Sequence, residues 1–114
     1  MKDPLIVLQT ELKLSERESE LFLHMVKTGR RSVDQISLDL NCSREVAEKT
    51  ARSLVDFGMI IQMSCNEYTP LHPRFAIVNR YRERCKEDNI PFRRNELIDH
   101  VGAVMAEYYE HINV

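Results

Sequence analysis

Arg44, Glu45, Glu48, Lys49 and Arg52 stand within nine residues of the stretch "SREVAEKTARSLVDFGMIIQ", Ser43 to Gln62. Between them, Ala47, Thr50, Ala51 and Leu54 recur at three- and four-residue intervals, the period of one helix face. With that face turned inward, Ser43 and the five charged residues share one outward arc. Such an arc has a defined chemistry. A guanidinium bonds guanine bidentately, a carboxylate accepts from cytosine N4, and an ammonium holds phosphate. Arg30 and Arg31, just ahead of the preceding helix, are placed to sit on phosphates as well. The competing reading is a solvated face whose mixed charges pair along the helix, the usual state of exposed charge.

Other reactive residue types form no constellation. His24, His72, His100 and His111 are scattered, without a His-Glu-x-x-His pattern or a Cys-His pair at ligand spacing. Cys42, Cys65 and Cys85 fall on three different elements. An odd number of separated cysteines suits free thiols in a reducing compartment, with no bound metal and no disulfide. Three glycines leave no phosphate-cradling loop. The expectation is no catalytic residue, no cofactor and no enzyme.

The charged arc needs elements to position it, and helix signals dominate the chain. Pro4 suits a first helical turn, with Leu5, Leu8 and Leu12 following at helical spacing. Ser15 with Glu18 is a capping-box pattern, and Leu21, Phe22, Met25 and Val26 make one apolar face before Gly29. Ser32 with Gln35 repeats the box ahead of Val33, Ile36 and Leu40. Asn41-Cys42 is a tight break, Ser43 caps the third helix of this series, and Gly58 closes it after Phe57. Two helices joined by about three residues read as a helix-turn-helix. Met59 to Ser64 and Tyr68-Thr69, around a Cys65-Asn66-Glu67 turn, read as a two-stranded wing, with Asn66 suited to left-handed geometry. His72-Pro73 opens a further helix with Phe75, Val78, Tyr81 and Cys85 on one side. After a break at Asn89 to Pro91, a last helix from about Asn95 presents Leu97, Ile98, Val101, Val104, Met105, Tyr108 and Ile112.

In this order, "LKLSERESELFLHMVKTG", "RSVDQISLDLNCSREVAEKTARSLVDFGMI" and "QMSCNEYTPL" resemble the winged-helix domain of the TrmB-like archaeal transcription regulators, with the MarR family a more distant relative. The likeness covers residues 8–72. The first stretch resembles the family's "LGLT-x-x-E" opening helix and the last its wing running into a proline. The resemblance implies a mostly α (α+β) winged helix-turn-helix with a two-stranded wing and additional C-terminal helices. It also implies transcription regulation on double-stranded DNA, with the helices after the wing pairing two copies. Larger members carry an effector-binding domain that this chain is too short to hold, which removes any family-based argument for a sugar ligand.

Charge and length bound the rest. One modest core fits 114 residues, and 30% charged against 43% hydrophobic is an ordinary globular balance. No apolar run spans a bilayer and no apolar leader opens the chain, so no membrane partner and a cytoplasmic location are expected. Residues 74–94 carry seven positive and three negative side chains, and residues 95–114 none and four. Arg74, Arg80 and Arg84 thus either add to a DNA-binding surface or pair with the acidic last helix. That help matters. The helix 43–57 has three charges of each sign, and the wing turn has no Arg or Lys.

The last stripe either packs on the monomer's own core or pairs with a second copy. A homodimer through residues 95–112 is the favoured reading. The expected organisation is residues 1–72 as the winged helix-turn-helix with its N-terminal helix and residues 73–114 as dimerising helices. Their function is sequence-specific transcriptional regulation. The rival is a winged-helix protein-interaction module of a transcription or chromatin assembly, favoured by the neutral recognition face and the non-basic wing.

Overall fold

The structure, a computed structural model, describes residues 3–93 and 95–112, with the Ile112 side chain left aside. Arg94 of the basic stretch and the Ile112 side chain of the last stripe therefore lie outside the described residues.

Short polar caps set the helix starts. Helix α1 (Pro4–Glu11) follows Asp3, whose carboxylate accepts from the Leu5 amide at 2.9 Å. Helices α2 (Glu16–Thr28) and α3 (Val33–Asp39) each begin with the complete reciprocal box, Ser15 with Glu18 and Ser32 with Gln35. Helix α4 (Arg44–Asp56) is capped by Ser43, whose hydroxyl accepts from the Val46 amide. Asn41, at φ 52°, makes the turn between α3 and α4. Gly58 ends the series at φ +75°, where a Cβ would also press on Asn79 at 3.4 Å. Among the described residues the left-handed ones are Lys13, Asn41 and Asn89 besides two glycines, and Asn66 is not one of them. The wing turn closes without the conformation expected of it.

The sheet has one strand more than the sequence reading gave. Strands β2 (Ile60–Ser64) and β3 (Glu67–Pro70) form the antiparallel wing, with a register irregularity between Gln62 and Ser64. A two-residue strand β1 (Arg31–Ser32) adds to the other edge of β3, pairing Arg31 with Tyr68 and Ser32 with Glu67. The physical signal was the capping box itself. An N-cap residue is extended, here with Ser32 at φ −84° and ψ 163°, so the chain enters α3 in strand conformation.

Helices α5 (Pro73–Glu87) and α6 (Glu96–Ile112) complete the fold. The expected inward side of α5 needs correction. Tyr81 and Cys85 are buried, but Phe75 is 70% exposed and the inward positions are Ala76, Ile77 and Arg80. Helix α6 packs on α5, α2 and α1. Ile98, Val101 and Met105 are buried in the same core as Leu8, Phe22, Met25 and Leu54. Much of the last stripe is therefore satisfied inside one chain, because α1 and α2 offer it an apolar wall. Leu97, Val104 and Tyr108 remain only partly covered.

Candidate nucleic-acid interface

Core packing orients α4 as its periodicity requires. Ala47, Thr50, Ala51 and Leu54 are all buried, and the Thr50 hydroxyl is satisfied by the Val46 carbonyl at 2.7 Å. Ser43, Arg44, Glu45, Glu48, Lys49 and Arg52 are exposed. Glu45, Glu48, Lys49 and Arg52 border one shallow hollow on that surface. The structure thus brings six of the eight candidate residues together on the outward side of α4.

Their charges are largely engaged with neighbours. Arg44 donates to Asp34 at 2.9 Å and to the Asn66 side-chain oxygen at 3.2 Å, linking α4 to α3 and to the wing turn. Arg52 donates to Glu48 at 3.1 Å, one helical turn earlier. Lys49 makes no ion pair among the described residues, and it is the one cation of the arc of which that holds. Exposed pairs of this kind are worth little and exchange readily for another anion, so Arg44 and Arg52 are loosely restrained rather than sequestered. Asn66 escaped the sequence reading, which gave it only a turn role. Its backbone carbonyl accepts from the Val33 amide at 2.8 Å, so the turn is folded back onto the start of α3.

Arg30 and Arg31 diverge. Arg30 is half exposed, 3.5 Å from Glu67, and stays on the surface beside the wing. Arg31 is drawn the other way by β1 and grips Asp39 through two nitrogens, at 3.0 and 2.7 Å. His24 meets the same carboxylate oxygen at 2.8 Å. Burial opposes the Asp39 charge, yet the hydrogen bonds from Arg31 and His24 outweigh it and hold its carboxyl below the ordinary aspartate range. Asp39 thus ties α3 to β1 through Arg31 and to α2 through His24.

The basic stretch of α5 does not supply the missing cations through Arg80 or Arg84. Arg80 is 4% exposed, donates to the Leu12 carbonyl at 2.9 Å and to Glu87 at 2.9 Å, and lies 4.0 Å over the Phe57 ring. Arg84 reaches Asp88 at 3.4 Å. Neither pairs with the acidic last helix as the alternative supposed, since both partners stand at the end of α5 or just past it. A buried arginine is invisible to hydrophobic periodicity, because its cost is offset only by partners from distant segments.

No group of three or more His, Cys, Asp or Glu side chains converges among the described residues, and the three cysteines are free. Among those residues no helix is long and apolar enough to cross a membrane.

Comparison with known proteins gives one match. Residues 8–74 fit the family model described as "Sugar-specific transcriptional regulator TrmB", which covers over half of the chain. No curated protein and no solved structure matches the chain.

Proposed function

Because this chain belongs to the TrmB family of transcriptional regulators, we propose that it binds double-stranded DNA sequence-specifically through α4, as a homodimer. The observation that carries the reading is the exposed arc of α4, which presents Arg44, Glu45, Glu48, Lys49 and Arg52 while four inward residues lock its orientation. Ser43 stands at the N-terminal end of the helix that would meet the major groove, and Arg30 flanks it for phosphate. Arg31 acts indirectly, by holding the end of α3 to β1 through Asp39.

The dimer seat is the cleft between α1, α2 and α6. It has a volume of about 560 Å³ and is bordered by Leu5, Leu23, Leu97, Val104 and Tyr108. Partly covered apolar side chains of α6 on the rim of a cleft suit a second copy of the same helix, in line with residues 73–114 as the dimerising part. Two copies place two recognition helices about one DNA turn apart, and regulation follows from occupancy of the paired half-sites.

The protein-interaction module keeps one observation in its favour, the pairing of Arg44 and Arg52 with carboxylates on the same face. Selection from a random duplex pool followed by gel shift separates the two. Replacing Arg44 or Arg52 with Ala should cost on the order of 1–3 kcal/mol on the selected site. Lys49→Ala should weaken binding to every sequence. A parent chain that retains no duplex at low salt would leave the module as the better reading.

A further inference from the structure

The outward side of α5 is used neither by the core nor by the proposed DNA contact. Phe75 is 70% exposed there. With His72, Arg74, Val78, Asn79 and Arg82 it lines one open hollow of about 660 Å³. Residues 74, 78 and 82 follow at four-residue intervals, so the hollow runs along about 12 Å of helix. Phe75 meets the His72 ring edge-on at 6.3 Å, and the Arg82 guanidinium lies 5.1 Å over the half-exposed Phe92 ring. Arg80, Arg84 and Lys86 are matched by Glu87, Asp88 and Glu83. Arg74 and Arg82 form no ion pair among the described residues. Of the carboxylates around the hollow, Glu83 is engaged with Lys86 at 4.0 Å, Glu110 of α6 stands 4.0 Å from His72, and Asp99 of α6 borders a small adjoining hollow with Arg74.

We propose that this hollow docks an acidic amphipathic helix of a protein partner. An exposed aromatic side chain flanked by two cations that form no ion pair among the described residues is complementary to a helix with apolar residues at i and i+4 and carboxylates beside them. The apolar pair covers Phe75 and Val78, and the carboxylates meet Arg74 and Arg82. DNA fits less well. Phosphate would engage the two guanidinium groups but gains nothing from Phe75 and Val78, and the Asn79 amide is already given to the Gly58 carbonyl at 3.0 Å. This surface is separate from the α1–α2–α6 cleft, so its occupancy does not depend on the dimer.

The test pans a displayed library of random dodecapeptides against the immobilised full chain and against its Phe75→Ala variant. The expected result is enrichment on the parent alone of peptides with an apolar i, i+4 pair flanked by Asp or Glu. The enriched peptide, labelled for fluorescence anisotropy, should bind at least about tenfold more weakly to Phe75→Ala and to Arg82→Glu. Both side chains are on the surface, and circular dichroism checks that the variants fold. Duplex affinity of Phe75→Ala should stay at the parent value. Equal enrichment on the two baits, or enriched peptides without acids, overturns the proposal. Loss of duplex binding in both variants would give this face to DNA, and a lowered oligomeric mass in both would give it to a second copy.

Discussion

Glu48→Gln provides the sharpest test of α4 as the DNA-binding surface. In the parent, Arg52 donates to Glu48 at 3.1 Å, with side-chain exposures of 67% and 48%. An exposed i, i+4 pair contributes no more than about 0.5 kcal/mol, so the variant should keep its fold and its urea midpoint. Its effect belongs to DNA binding. Freeing one cation for phosphate steepens the salt dependence of the binding constant by about 0.9 logarithmic units. With counterion release as the only term, affinity for random-sequence duplex should rise up to about 15-fold at about 50 mM salt and about fourfold at about 200 mM. Adding Asp34→Asn removes the carboxylate 2.9 Å from Arg44 and should steepen the slope by a similar increment. Random duplex avoids the confounding case in which Glu48 itself reads a cytosine. Gel shift or anisotropy at four salt concentrations gives the slope. An unchanged slope on random duplex in a folded double variant would refute the reasoning, because it would mean that Arg44 and Arg52 do not reach phosphate even where no base is read.

Three further outcomes follow from the same structure. Lys at both Leu97 and Val104, which are only partly covered, should give a folded monomer by light scattering, and an unchanged dimer mass refutes the α6 interface; Val101 and Met105 are unsuited to this test because they are buried within one chain. Arg80→Met should lower stability to urea by about 2–4 kcal/mol, since it leaves the Leu12 carbonyl without its donor and removes the guanidinium from Phe57; a loss under about 0.5 kcal/mol would show that these contacts do not hold α5 to the core. The lowered carboxyl of Asp39 contributes stability that is complete above the ordinary aspartate value of 3.8 and is lost as pH falls below it through the folded-state value. In Asp39→Asn the acid-side fall of the urea midpoint should therefore be shallower, with the share of Asp88, lowered by its Lys13 hydrogen bond, still present. A fall as steep as the parent's would count against the ties through Asp39.

Local rules alone determined most of the winged helix and the orientation of helix α4. Each cap is a short-range bond between a side chain and an amide three residues on, so Ser15, Ser32 and Ser43 announced α2, α3 and α4 without tertiary context. The 3–4 spacing of Ala47, Thr50, Ala51 and Leu54 fixed which residues of α4 face outward, because a helix wheel has only one rotational freedom. Tertiary structure decided what those residues do with their charges. Spacing offers Arg31 as a phosphate contact and Arg80 as either a DNA contact or a partner of the acidic last helix, but their partners Asp39, Leu12 and Phe57 come from other elements and are invisible to spacing. The same holds for Phe75, an apolar residue that periodicity assigns to a core and that the packing of Ala76, Ile77 and Arg80 turns to solvent. It holds also for α6, whose stripe is divided between the interior and the rim of a cleft by how closely α1 and α2 approach it. Period and capping act over a few residues. Which stripe meets which wall is a property of the assembled chain, since the area buried depends on every helix at once.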